Sequence, residues 1–106
     1  MRLGFMLLMA LVSGLITAQA VELTAQRQEE LRYLLQQDCG SCHGMTLKGG
    51  LGPALTTAAL AGKSPQGLLN TVLDGRPGTA MPPWRGQLTT TEAAWLIDEL
   101  LQGMAQ

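Results

Sequence analysis

Cys39-Gly40-Ser41-Cys42-His43 is the stretch whose reading decides this chain. Two thiols three positions apart fall within one helical turn, and an imidazole follows the second directly. This is the C-x-x-C-H pattern of covalent haem attachment. Each thiol adds across one vinyl group to give a thioether, both sulfurs reach from the same turn, and the histidine then lies beneath the iron. Cys39 and Cys42 are therefore expected to carry one haem c, with His43 as an axial iron ligand. A thioredoxin-like dithiol would need a βαβ setting, and no strand pattern is visible. A structural zinc site takes four ligands; here there are three, and the single histidine of the chain is already among them.

Upstream of the motif, Leu31, Leu34 and Leu35 share the i, i+3, i+4 spacing of one helix face. A first helix is predicted from about Thr24, a suitable N-cap, into the cysteines. Downstream, Gly44 to Gly62 holds Gly49, Gly50, Gly52, Pro53 and Gly62, too much punctuation for a long regular element. It reads as a wrapping loop with Leu47, Leu51 and Leu55 turned inward. Ser64-Pro65 opens a second helix with Leu68, Leu69, Val72 and Leu73 on one face. Gly75 is suited to the left-handed position after its end. Pro77, Pro82 and Pro83 keep residues 76–86 irregular. Thr89 and Glu92 form a capping box for a last helix striped by Leu96, Ile97, Leu100, Leu101 and Met104. The fold class is all-α, with three main helices and Gly/Pro-rich loops around one covalent haem.

The lone histidine limits the second axial position. Bis-histidine ligation is impossible, leaving methionine, lysine, the N-terminal amine or water. Met45 lies two residues after His43 and would have to double back around the haem edge. Met104 belongs to an apolar stripe, where core filling is the ordinary role. Met81, in Thr79-Ala80-Met81-Pro82-Pro83-Trp84, sits in a rigid irregular loop and is the favoured sixth ligand.

Met1 and Arg2 precede an apolar run from Leu3 to Ile16 and the small-x-small sequence Ala18-Gln19-Ala20. Residues 1–20 read as a cleaved secretory signal and residues 21–106 as a cytochrome domain. The run is shorter than the roughly 20 residues needed to span a bilayer, so no membrane anchor is expected after cleavage. The expected location is the periplasm. So small a domain has a marginal core without a staple, and with no cysteine beyond the pair there is no disulfide framework. A haem supplies the missing apolar mass.

On these residues the chain resembles a class I cytochrome c from about Leu31 to Leu101. That resemblance implies a C-terminal helix crossing the first, and a proline carbonyl accepting the hydrogen of the axial histidine; here the proline is Pro53 in Gly52-Pro53-Ala54-Leu55. The family often has glycine eight residues before the first cysteine, where this chain has Leu31, so a wider or shifted crossing accommodating Trp95 is expected. Asp38 to Pro53 together with Thr79 to Trp84 is similar to NirC-like small cytochromes of denitrifying bacteria. Those are associated with the haem-cd nitrite reductase, as electron donors or in maturing its d-type haem. The resemblance implies an electron carrier and not an enzyme, with that reductase or a d-type haem maturation protein as redox partner.

The formal net charge is −1. Lys48, Lys63, Arg76 and Arg85 against Asp74 give the middle of the chain a basic character, and the terminal helices are acidic. Docking to an acidic protein patch is one reading, scattered solubilising charge the other. Arg76 and Arg85 are candidates for a haem propionate. A monomer is expected, and no nucleic-acid partner. Two other roles stay open from the sequence: a haem enzyme or gas sensor with an open distal site, and an accessory module in cofactor assembly.

Overall fold

The computed structural model describes residues 14–15 and 22–103. The signal-peptide reading rests almost wholly on residues outside these, and Met104 also lies outside them. The described residues form helices α1 (Ala25–Leu34), α2 (Gly40–His43), α3 (Thr57–Leu60), α4 (Pro65–Asp74) and α5 (Thr90–Gln102), with a π-helical turn, Leu35–Cys39, between α1 and α2. No strand occurs among them. None of these helices is long and apolar enough to cross a membrane.

Each longer helix begins at a side-chain cap. The hydroxyl of Thr24 accepts from Arg27 N at 3.1 Å, that of Ser64 from Gly67 N at 2.9 Å, and that of Thr89 from Glu92 N at 3.1 Å. Such caps satisfy first-turn N–H groups that lack helical partners. The carboxylate of Glu92 accepts from Thr89 N in return, at 3.0 Å, completing the capping box. The short α3 lies in what the sequence reads as unbroken loop. It is capped by Thr56, whose hydroxyl accepts from Ala59 N at 3.2 Å.

The predicted first helix is continuous but not uniformly α. Its buried positions step from Leu31 to Leu35 and then to Gly40, four residues followed by five. A π turn, in which Gly40 N reaches back to Leu35 O, inserts the extra residue and keeps that face inward. Gly40, between the cysteines, is thereby buried.

The core gathers Leu31, Leu35, Leu47, Leu60 and Leu73 with Leu88, Ala93, Leu96, Ile97 and Leu100. Leu31 is completely buried, and Trp95 packs at the edge of this cluster. The guanidinium of Arg32 lies 5.0 Å from the Trp95 ring centroid. Two ion pairs tie α1 to α5: Arg27 to Glu92, and Arg32 to both oxygens of Glu99 at 3.1 and 3.2 Å. Both glutamates are buried. The N–H of Thr89, with Arg27 second, holds the Glu92 carboxyl below its ordinary range.

Leu51 departs from the expectation that it faces inward: it is 95% exposed, while Leu47 is buried and Leu55 half-buried. It occupies the tip of a tight turn in which Gly50 N donates to Gly52 O and Gly52 N to Cys42 O. Those bonds press the two flanking glycines against the helix end and push the residue between them outward. Gly75 takes a positive φ of 68°, as expected, but its ψ of −168° is extended and not left-handed helical.

Candidate haem site

His43 closes α2, and the chain reverses at Gly44, where φ is +91°. Residues 44–55 then fold back against the helix end. Gly49 N donates to His43 O and Gly52 N to Cys42 O, each at 2.8 Å, satisfying carbonyls that have no helical partner. This brings Pro53 O to 2.7 Å from His43 Nδ1. A carbonyl can only accept, so Nδ1 carries the proton and Nε2 is left with a free lone pair. Such an outer bond fixes the ring and raises its strength as a donor. Gly52 backs the same ring: a Cβ built there would meet His43 Cε1 and Nδ1 at 2.9 Å.

Cys39 ends the π turn, half-buried, and Cys42 is exposed one helical turn on; the two are not joined to each other. Burial, with a smaller contribution from the charge of Asp38, pushes the Cys39 thiol up to about 11. A redox dithiol needs the opposite, a lowered pKa and a reactive thiolate. Nor, among the described residues, do three or more His, Cys, Asp or Glu side chains gather as a metal cluster would require.

Met45 folds back toward the cysteine turn, with its sulfur 3.4 Å from where a Gly40 Cβ would stand, and is 58% exposed. Met81 lies half-buried in a separate segment held on the end of α4. There Trp84 N donates to Val72 O at 3.0 Å and Arg85 N to Leu73 O at 3.1 Å. Arg76 N donates to Met81 O at 3.2 Å, and Thr79 Oγ1 accepts from Met81 N at 3.3 Å.

Leu55, Leu68, Leu69, Val72 and Trp84 pack on the core yet stay partly uncovered. Uncovered apolar surface of this kind, together with two unpaired thiols and an imidazole with a free Nε2, fits a large flat apolar macrocycle carrying a metal. Cys39 and Cys42 would hold it covalently, and His43 would ligate its iron.

The comparisons agree. Residues 26–98 match the family described as cytochrome c oxidase, cbb3-type, subunit III. The chain belongs to this family of c-type cytochromes. Its cofactor is covalently bound haem c, with iron. The cytochrome is 53% identical over 96 residues to cytochrome c55X of Paracoccus denitrificans, covering 91% of each chain. It is 61% identical over 79 residues to cytochrome c55X of Pseudomonas aeruginosa, covering 74% of this chain and 66% of that one. Among solved structures it resembles the c-type cytochrome NirC, with a TM-score of 0.76 and 58% identity over 77% of this chain and 96% of that one. A lesser likeness, TM-score 0.63 and 37% identity over 67% of this chain, joins it to 15% of the dihydro-heme d1 dehydrogenase NirN, solved in complex with DHE.

Several features of the cytochrome site had no legible sequence signal. The π turn shows only in the four-then-five spacing of positions known to be buried. The role of Gly52 against the imidazole depends on a contact between residues nine apart. Arg85, a candidate for a propionate, instead donates from Nε and Nη2 to Asp74 Oδ1 at 2.9 and 2.7 Å.

Proposed function

We propose that this cytochrome is a periplasmic electron carrier of denitrification, with His43 and Met81 as the two axial ligands of its haem iron. The haem supplies a one-electron couple at iron, and a thioether ligand together with burial raises the potential of that couple. The chain's own residues hold the geometry constant. Pro53 O and Gly52 orient the imidazole, and the end of α4 fixes the segment bearing Met81. With both axial positions filled by the protein, no site is left open for a substrate, which favours transfer between proteins over catalysis.

The observation that carries this reading is the 2.7 Å bond from His43 Nδ1 to Pro53 O. It leaves Nε2 free to ligate and supports the only histidine as a strong, fixed donor. Two arguments support Met81 opposite it: Met45 folds toward the cysteine turn, and the Met81 segment is independently anchored. The test is Met81→Ala in the holoprotein. The weak far-red methionine-to-Fe(III) band should vanish, the potential should fall, and carbon monoxide should bind the reduced form rapidly. An unchanged spectrum and potential would remove Met81 from the iron.

The pathway is supported by the similarity to NirC and cytochrome c55X, with the haem-cd nitrite reductase as electron acceptor. The likeness to a dihydro-heme d1 dehydrogenase favours a second reading, a role in maturing the d-type haem. Deleting the gene separates them. Loss of electron supply leaves the reductase fully loaded but slow, whereas a maturation role leaves it short of d-type haem. Residues 1–20 act as the export signal on this reading, and the exported protein should begin at Val21.

A further inference from the structure

We infer that Gly75, at the end of α4 and six residues before Met81, is a positioning residue for the axial methionine; this rests on the reading of Met81 as a ligand. A Cβ built on Gly75 would lie 2.7 Å from Met81 O, 2.8 Å from Pro82 C and 2.8 Å from Pro83 N. All three are backbone atoms of the segment that carries the sulfur. A side chain at 75 cannot be accommodated by rotating a neighbouring rotamer; the Met81-Pro82-Pro83 backbone itself must move.

That backbone is held at both ends. Arg76 N binds Met81 O, and Trp84 N and Arg85 N bind the last free carbonyls of α4. The Asp74–Arg85 ion pair, 2.7 Å between Oδ1 and Nη2, brackets the same junction from outside. Pro82 and Pro83 have no N–H to bond and cannot take up slack by twisting φ. The absence of a side chain at residue 75 thus sets how closely the methionine segment lies on α4. The distance between that helix and the segment is one of the dimensions that places the sulfur.

Gly62, outside the methionine segment, separates this contact from the cost of a positive φ elsewhere in the chain. It has φ +77° and nothing within 4 Å of a built Cβ. Alanine there strains the backbone with no neighbour to push. The experiment uses purified holoprotein of the wild type, Gly75→Ala, Gly62→Ala and Asp74→Asn. It reads the far-red methionine band, the reduction potential and the affinity of the ferric protein for imidazole, with thermal unfolding alongside. Gly75→Ala should weaken or abolish the band, lower the potential and tighten imidazole binding by about tenfold or more, since an exogenous ligand binds the iron only where the methionine has left it. Gly62→Ala should lower thermal stability while keeping the band and staying within about twofold of wild-type imidazole affinity. Asp74→Asn, at an exposed position, should load haem and tighten imidazole binding by a smaller, salt-sensitive factor.

A Gly75→Ala protein that keeps the band and binds imidazole like Gly62→Ala overturns the inference. If Gly75→Ala yields no holoprotein, an Asp74→Asn protein identical to wild type in all three readouts overturns it. A wild type without the band, or a Met81→Ala protein indistinguishable from wild type, overturns the ligand reading itself and the inference with it.

Discussion

The loop after His43 and the segment around Met81 are both short, glycine-punctuated and irregular, yet they are fixed by different means. Residues 44–55 bond back onto the residues they follow: Gly49 to His43, Gly52 to Cys42, Leu55 to Leu47, and His43 itself to Pro53. Leu47 is buried within that loop, so it also has an apolar anchor. The Met81 segment has a sparser internal frame, with Arg76 N bonded to Met81 O, Thr79 N to Arg76 O and Met81 N to Thr79 Oγ1. It borrows carbonyls from the end of α4 and is closed by an exposed ion pair. One is a self-contained loop with a buried leucine, and the other is a strap laid against a helix. Exposed ion pairs contribute little, and hydrogen bonds near solvent open readily. The imidazole side should therefore be the durable one and the methionine side the one that yields first.

The severest way to break this contrast is Gly44→Ala. Its Cβ would stand 2.5 Å from Gly49 O at a φ of +91°, and the His43 loop has no slack to absorb it. Destabilisation of about 3 kcal/mol or more is expected, seen as loss of holoprotein and an early denaturant midpoint. The matching change on the strap, Gly78→Ala, meets open space and should cost only about 1 kcal/mol. Equal costs would erase the distinction.

Gly52→Ala sharpens it at the iron. A methyl 2.9 Å from the imidazole must turn the ring, shifting the ferric magnetic-resonance spectrum while the methionine band persists. The stability cost should be about 1–3 kcal/mol by denaturant titration.

Acid tests the frame that both flanks share. The Glu92 carboxyl, with an ordinary value of 4.5, is held lower in the folded protein by the N–H of Thr89 and then by Arg27. A carboxyl depressed by folding stabilises above its unfolded value and loses that contribution as pH falls through the folded one. Stability should decline below about pH 4.5, and Glu92→Gln should flatten that decline while lowering stability at neutral pH. An acid limb of the same slope in both proteins would place the titrating group elsewhere.

The smallest effect belongs to Pro53→Ala. The acceptor is a backbone carbonyl and survives the change, so the Nδ1 proton should stay slow to exchange by NMR. Only about 1 kcal/mol of stability should be lost, through greater freedom of the unfolded chain.

Local rules made much of this protein legible from its residues. Hydroxyl caps at Thr24, Ser64 and Thr89 marked the three longer helices, because an N-cap is a contact between residues three apart. The motif at residues 39–43 gave the cofactor for the same reason: its chemistry is complete within five consecutive residues. Leu51 was misread because an apolar residue in a loop usually finds the core, whereas the bonds of Gly50 and Gly52 decide where the residue between them points.

Tertiary structure alone decided how His43 and the Met81 segment are held. The extra residue of the π turn follows from which positions meet the core, and no propensity encodes it. The closeness of Gly52 to the imidazole and of Gly75 to Met81-Pro82-Pro83 exists only once the chain has folded back on itself. Arg85 could be counted as a free cation until folding set it against Asp74. Chemistry carried by neighbours in the chain was readable from the sequence; distances between segments were not, because they are set by packing that every part of the molecule shares.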